Sequence, residues 1–186
     1  MRELIKKIKT EGLLNQEGIN EEDTKCLAIE PLLRCLGWKT DLLSEVKREY
    51  PNGLPNAGQI RDNLQLSVNE TLCDYVLMID ENIKIIIEVK PPNKNLCSGG
   101  DKERNLNWEE MSKNTFWQQW LNNIFNIAKG LTTVKYIVLT TGDRFLIWDV
   151  THHHGINQKP IYINFDQHYV EFIYEKLNIL SKEKFK

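Results

Sequence analysis

The stretch LCDYVLMIDENIKIIIEVK, residues 72–90, contains the residues that decide the fold. It has two short apolar runs, Leu72 to Ile79 and Ile83 to Val89, and both are rich in the branched and aromatic residues that favour strands. A polar turn, Asp80-Glu81-Asn82, separates the runs, and Pro91-Pro92 ends the second run abruptly. The stretch therefore predicts a β-hairpin.

Three charged residues stand at the open end of this hairpin: Asp74, Glu88 and Lys90. Because side chains alternate along a strand, Glu88 and Lys90 point to the same face. Asp74 shares that face only if the hairpin has a connection of odd length or a β-bulge. The same alternation predicts that three isoleucines point to the opposite face: Ile83, Ile85 and Ile87. With the required register, two carboxylates and one ammonium converge at one end of the hairpin.

Apolar periodicity predicts the other elements, in the order helix, helix, strand, hairpin, helix, strand, strand, helix. Their approximate bounds are 2–14 and 21–36 for the first two helices, 42–50 for the first strand, 111–130 for the third helix, 135–141 and 144–150 for the last two strands, and 167–180 for the last helix. Loops are predicted at 51–58 and 93–110. This order predicts an α/β fold with a central mixed β-sheet flanked by α-helices.

One domain is expected over residues 1–186, with a core at about 20–150 between an N-terminal helix and a C-terminal helical extension. Asn20 and Asp166 are the predicted N-caps of the second and the last helix. Pro31 falls inside the second helix, where it either starts a second segment or kinks the helix.

The combination of Asp74, Glu88 and Lys90 suits metal-dependent hydrolysis of a phosphodiester. Mg²⁺ prefers oxygen ligands and keeps several waters, so two carboxylates can hold it. The metal polarises the phosphoryl oxygen and lowers the pKa of a bound water, and Lys90 stabilises the developing charge or orients the attacking water. The alternative is an ordinary exposed ion cluster. A strongly apolar strand that ends in charged residues favours the site, because unpaired buried charge is costly.

The overall charge narrows the class of partner. A net charge of −2 argues mildly against a dedicated DNA-coating protein, which would be strongly basic. It does not argue against a nuclease, whose acidic ligands become cationic in effect once the metal is bound. The start MRELIKK lacks a long hydrophobic core, and no apolar stretch is long enough to span a bilayer. These features predict a cytoplasmic protein with no membrane partner.

Short motifs follow one another in order over about two thirds of the chain: EEDT (21–24), PLL (31–33), LGW (36–38), EYP (49–51), CDYVL (73–77), IEVKP (87–91) and VLTTG (138–142). In their order and spacing, residues 21–150 resemble the N-terminal nuclease domain of type I restriction enzyme R subunits, within the PD-(D/E)XK nuclease superfamily. The resemblance implies a PD-(D/E)XK, restriction-endonuclease-like core with a mixed four-stranded sheet, which cuts DNA with Mg²⁺ or, as a substitute, Mn²⁺.

The resemblance also implies roles for individual residues. It makes Asp74 and Glu88 metal ligands, together with the backbone carbonyl of Val89, and it makes Lys90 the catalytic lysine. An acidic residue on the early helix commonly joins such sites, and Glu21 matches that position best. A carboxylate at the start of a helix also satisfies the helix dipole, so both interpretations of Glu21 stay open.

Two features of this sequence differ from the pattern of the family that it resembles. Related nucleases often carry a Gln-x-x-x-Tyr signature on the helix after the catalytic strand, where this chain has Asn123 and Ile127. Gln118 and Gln119 lie a turn or more earlier and could serve only if the helix is offset. The R subunit also continues into a motor, whose phosphate-binding motif G-x-x-x-x-G-K-[ST] does not occur in this chain.

The leading hypothesis is a DNA endonuclease of restriction or mobile-element defence type, with DNA as its substrate. One alternative is a nuclease of the same fold that acts on RNA or structured DNA. Another is a catalytically idle fold member that binds nucleic acid or a protein, as an inhibitor or assembly factor. A protein partner or a homodimer stays open. Four residues are candidate nucleic-acid contacts, with a solvated surface as the alternative for each: Lys94, Lys102, Arg104 and Gln119.

Overall fold

The computed structural model describes residues 1–52, 56–64, 73–92, 121–122, 124–125, 128, 131–151 and 159–186. The α-helices there are α1 (Arg2–Thr10), α2 (Glu21–Thr24), α3 (Glu30–Cys35), α4 (Ala57–Leu64) and α5 (Val170–Leu177). A π-helical segment, Lys25–Ile29, joins α2 to α3, and two 3-10 helices, Asn178–Leu180 and Lys182–Phe185, follow α5. The strands are β1 (Val46–Tyr50), β2 (Cys73–Ile79), β3 (Asn82–Val89), β4 (Tyr136–Thr140), β5 (Arg144–Asp149) and β6 (Ile161–Asn164).

All six strands form one sheet, in which their spatial order is their order along the chain. Neighbouring strands are antiparallel except β3 and β4, which run parallel. A parallel pair needs a crossover connection, and the residues between β3 and β4 include helical ones at 121, 122, 124, 125 and 128. The predicted α/β fold with a central mixed sheet is therefore confirmed, with six strands rather than the four that the resemblance implies.

The hairpin of β2 and β3 contains the bulge that the convergence of charges requires. Leu77 pairs with Ile85, whereas the next residue, Met78, pairs with Ile83. Lys84 is therefore an extra residue without a partner on β2, and its carbonyl accepts a hydrogen bond of 2.8 Å from the N–H of Lys135 instead. A bulge of this kind changes which residues share a face on either side of it.

Because of the bulge, one prediction about the hairpin is wrong. Ile85 and Ile87 pack on one face of the sheet, but Ile83 belongs to the apolar cluster on the other face. The prediction that all three share a face is wrong for Ile83, because strict alternation does not continue through a bulge. The turn itself is tight: Asp80 and Glu81 both have positive φ, at 48° and 64°, as a two-residue hairpin turn of type I′ requires.

Both faces of the sheet are buried under helices. One face packs against α1, the π-helical segment, α3 and α5, through residues that include Ile5, Ile29, Leu33 and Ile173. The other face packs against the crossover residues Leu121, Ile124, Phe125 and Ala128. Among the described residues, no helix has the length and apolar composition needed to cross a membrane.

Asn20 begins the second helix, as predicted. Its side chain accepts a hydrogen bond from the N–H of Asp23 at 2.9 Å, and the Asp23 carboxylate accepts one from the N–H of Asn20 at 3.0 Å. This capping box fixes the start of α2 at Glu21.

Pro31 is the second residue of α3 and directly follows the π-helical segment, with helical backbone dihedrals at both Ile29 and Glu30. The chain is therefore helical up to Pro31 without a break, and the wider π-helical hydrogen bonding precedes the residue that has no N–H to donate. The start of a separate segment is not confirmed, and a kink at Pro31 stays a prediction.

Other predictions of local structure are wrong or untested. Asp166 does not cap the last helix, because α5 begins at Val170 and its N-cap residue is Tyr169. Residues 57 and 58, for which the sequence predicts a loop, belong to α4. The short strand β6 is absent from the predicted order, although it pairs with β5 along the sheet edge. The predicted loop 93–110 and most of the predicted helix 111–130 lie outside the described residues.

Candidate active site

Two parts of the fold bring the predicted charged residues together. Glu88 is the penultimate residue of β3 and Lys90 follows that strand, whereas Glu21 is the first residue of α2. Lys90 Nζ lies 2.5 Å from Glu88 Oε1 and 3.7 Å from Glu21 Oε2. The capping box at Asn20 and the end of β3 therefore place three of the predicted side chains in one cluster.

Asp74 joins the cluster through Lys25, a residue that the sequence analysis missed. Lys25 Nζ lies 2.5 Å from Asp74 Oδ1 and 3.2 Å from Glu21 Oε1. Since Glu21 also contacts Lys90, negative and positive groups alternate in the cluster: Asp74, Lys25, Glu21, Lys90 and Glu88. The signal that could have identified Lys25 is its spacing, because residues four apart on a helix face the same way as Glu21 and Lys25 do here.

The second carboxylate oxygen of Asp74 is also engaged. Asp74 Oδ2 accepts a hydrogen bond of 2.7 Å from the N–H of Val89. The next N–H, that of Lys90, donates to the carbonyl of Thr140 on β4 at 2.8 Å. The start of β2 and the end of β3 are thus tied together at the point where the resemblance expects the metal ligands Asp74, Glu88 and the Val89 carbonyl.

The cluster is largely withdrawn from water. The side chains of Lys25, Asp74 and Glu88 are 9%, 11% and 14% exposed. Burial raises the pKa of Glu88 to about 7, with the charge of Lys90 opposing this rise and the charge of Asp74 adding to it. Burial lowers the pKa of Lys90, but the charge and hydrogen bond of Glu88 outweigh this effect, so its pKa is raised overall. Charges this deep persist because each has an opposite partner.

A second group of charges borders the cluster. The hydroxyl of Tyr75 donates a hydrogen bond of 3.3 Å to the buried Glu30, which also pairs with Arg48. Arg48 reaches Glu22 at 3.5 Å, and Glu22 lies 3.8 Å from Lys25. A cleft of about 250 Å³ opens between the two groups, lined by Glu22, Lys25, Arg48, Glu49, Asp74 and Tyr75. Solvent and small groups can therefore approach Asp74 through this cleft.

The carboxylates of the cluster offer oxygen atoms, the type of ligand that hard divalent cations prefer. Within the described part of the chain, no group of three or more His, Cys, Asp or Glu side chains is arranged to hold a metal ion. Mg²⁺ does not need such a cage, because it is commonly held by one or two carboxylates and several waters. Asp74 lies close enough to Glu88 for its charge to contribute to the raised pKa of Glu88. With Glu21, three carboxylates face two ammonium groups, so the fully ionised cluster carries one net negative charge.

Several predicted residues lie outside the described residues: Lys94, Lys102, Arg104, Gln119, Asn123 and Ile127. Their predicted roles as nucleic-acid contacts, and the departure from the Gln-x-x-x-Tyr signature, stay predictions.

The raised pKa of Glu88 predicts a titration near neutral pH. In the metal-free protein, the carboxyl carbon of Glu88 should titrate in ¹³C NMR spectra with a midpoint near pH 7. Lys90→Met should move the midpoint upward, because the charge of Lys90 favours ionised Glu88. The unfolded chain releases this proton first, near pH 4.5, so the contribution of Glu88 to the free energy of unfolding falls as pH rises from about 4.5 to 7.

Glu45 provides the contrasting titration. Burial raises its pKa, but hydrogen bonds from Lys182 and from the N–H of Lys39 outweigh that effect, so its pKa lies below the ordinary 4.5. Its contribution to stability is present above pH 4.5 and is lost as pH falls through its folded pKa. A Glu88 midpoint at or below that of Glu45 would contradict the burial argument.

No protein family, curated protein or solved structure matches this chain.

Proposed function

We propose that this chain is a Mg²⁺-dependent endonuclease of the PD-(D/E)XK type, which hydrolyses DNA phosphodiester bonds in restriction or in defence against mobile elements. The observation that carries the proposal is the meeting of Asp74, Glu88 and Lys90 with Glu21 at the end of a buried hairpin. Two carboxylates, a lysine and a helix carboxylate are the side chains that the resemblance assigns to such a site.

The strand arrangement supports the same proposal. β1, β2 and β3 form an antiparallel meander, and β4 lies parallel to β3 after a connection that contains helical residues. These four strands make a mixed sheet, as the resemblance implies, and β5 and β6 extend it. Glu88 and Lys90 lie at the end of the central strand β3, where the carboxyl ends of the parallel pair meet.

The residues that would hold the metal are Asp74 and Glu88, with the backbone carbonyl of Val89. A Mg²⁺ ion bound there supplies a positive charge that polarises the scissile phosphate. Lys90 Nζ, which is held by Glu88 and Glu21, can orient a water molecule or stabilise the charge that develops on the phosphate. Glu88 has a pKa of about 7 without metal, so a nearby cation would favour its ionised form.

One observation favours a second candidate function. Both predicted metal ligands already contact ammonium groups, Asp74 that of Lys25 and Glu88 that of Lys90. A cluster whose charges compensate one another is also what a catalytically idle domain could retain for stability. Such a domain would bind nucleic acid or a protein without cutting, and divalent cations would leave its thermal stability unchanged.

Cleavage assays separate the two functions. The purified protein is incubated with supercoiled plasmid, linear duplex DNA, single-stranded DNA and RNA, in Mg²⁺, in Mn²⁺ and in EDTA. Metal-dependent cleavage that disappears in Lys90→Ala would support the proposed nuclease, and the ranking of substrates would decide between DNA and RNA. The matched control is Lys84→Ala, which removes a lysine from the bulge of the same strand.

The contrary result is equally clear. If no substrate is cut, and if Mg²⁺ raises the melting temperature of neither the wild-type protein nor Lys90→Ala, the nuclease proposal fails. The idle-domain function would then be preferred, and binding to nucleic acid in EDTA would test it.

A further inference from the structure

Lys25 has contacts that an ordinary surface lysine lacks. Its ammonium group lies within 4 Å of three carboxylates, at 2.5 Å from Asp74, 3.2 Å from Glu21 and 3.8 Å from Glu22. Only 9% of its side chain is exposed, whereas the Glu22 side chain is 60% exposed. Lys25 is therefore anchored to Asp74 and Glu21 inside the cluster, with Glu22 as a further partner nearer to solvent.

The position of Lys25 bears directly on the oxygen atoms of Asp74. Asp74 Oδ2 accepts the hydrogen bond from Val89, and Oδ1 contacts the ammonium group of Lys25. A Mg²⁺ ligand must approach its ion to about 2.0–2.1 Å. An ammonium group already in contact with Oδ1 both occupies one side of that atom and repels a second cation.

We propose that Lys25 is a positioning residue that occupies the cation position at Asp74 in the metal-free protein and thereby sets the affinity for the divalent cation. Its ammonium holds Asp74 and Glu21 in place and keeps the cluster at one net negative charge rather than two. A cation bound at Asp74 would displace Lys25 from Oδ1, and Lys25 would keep Glu21 and Glu22 as its partners. This inference rests on the proposed function, because it assumes that Asp74 is a metal ligand.

A purely structural ion pair predicts the opposite effect of removing Lys25. If Lys25 only held Asp74 in position, its loss would disorder Asp74 and weaken the binding of cations. If Lys25 competes with the cation, its loss removes a nearby repelling charge and strengthens binding. The direction of the change in affinity therefore distinguishes the two roles.

The experiment is calorimetric titration of the metal-free protein with Mg²⁺ and with Ca²⁺, which needs neither DNA nor catalysis. Lys25→Met is expected to bind the cation about tenfold more tightly than the wild-type protein, or tighter still. Lys25→Arg is expected to bind it several-fold more weakly, because a guanidinium forms a two-pronged pair with a carboxylate that is harder to displace. The matched control is Lys6→Met, which removes the same charge from an exposed position on α1 and should leave the affinity unchanged.

Unchanged or weaker binding in Lys25→Met would overturn the role of Lys25, while a wild-type protein that still binds the cation would leave the nuclease proposal standing. A wild-type protein that binds neither cation would overturn both. Circular dichroism first establishes that Lys25→Met is folded. If it is not folded, Lys25→Arg decides, and an affinity equal to that of the wild-type protein would overturn the inference.

Discussion

Asp74→Asn is expected to lower the rate of Mg²⁺-dependent DNA cleavage by about 1000-fold or more, while the protein keeps its fold. The substitution removes the charge that holds a cation, but it keeps the shape of the side chain. The amide oxygen of asparagine can still accept the hydrogen bond from the N–H of Val89, which ties β2 to β3. Lys25 keeps Glu21 and Glu22 as partners. The measurement is the initial rate of plasmid cleavage, together with the melting temperature.

The matched control for this prediction is Asp80→Asn. Asp80 lies in the turn of the same hairpin, with a φ of 48° that asparagine tolerates well. The same chemical change there should leave both the cleavage rate and the melting temperature close to those of the wild-type protein. A cleavage rate in Asp74→Asn within threefold of the Asp80→Asn rate would exclude Asp74 as a metal ligand.

Gly142→Ala is expected to destabilise the protein by about 2–4 kcal/mol. Gly142 lies in the turn between β4 and β5 with a φ of 82°, a conformation that strains any residue with a Cβ. An added Cβ would lie only 2.7 Å from Leu14 Cδ1, 3.0 Å from Thr24 Cγ2 and 3.1 Å from the Cβ of Ala28. The turn and the helical segment would have to move apart. The free energy of unfolding, from urea denaturation, measures the effect.

Gly18→Ala is the control that measures the backbone strain of a positive φ without the steric crowding found at Gly142. Gly18 has nearly the same φ, 84°, but no atom of the described residues lies within 4 Å of the position of its added Cβ. Only the backbone strain remains there, so the expected loss of stability is about 1 kcal/mol. Equal losses of unfolding free energy in Gly142→Ala and Gly18→Ala would show that the atoms around Gly142 move aside at no cost in stability.

The sequence predicts the central sheet and most of the charged cluster, because the hairpin of β2 and β3 forms the centre of the sheet and provides most of the charged side chains. Apolar runs and a polar turn indicate two strands, and their ends bring Glu88 and Lys90 together. Alternation also predicts that the hairpin needs either a connection of odd length or a bulge, although it cannot decide between them or say where a bulge would lie. The contact between Lys25 and Asp74 is not predictable in the same way, since a helix and a strand far apart in sequence meet there through packing. A lysine next to acidic residues on a helix usually faces solvent.

Short elements are missed for a different reason. β6 has only four residues, two of them isoleucines, and it follows a proline, so its local pattern is too brief to indicate a strand. It forms because β5 offers an edge with which it can pair. The first two residues of α4, Ala57 and Gly58, end a stretch rich in Pro, Gly and Asn, which favours a loop over 51–58. In both cases the tertiary context decides the structure.

The bulge at Lys84 marks a position where the hairpin could lose one residue without rearranging its core. If Lys84 were deleted, Ile83 and Ile85 would become neighbours and would continue to face Met78 and Leu77 in a regular ladder. The hairpin would lose the hydrogen bond between the Lys84 carbonyl and Lys135, but every core side chain would keep its face. In a comparison with relatives, a one-residue gap would therefore belong inside the buried strand β3 and not in the exposed turn, where gaps are usually placed.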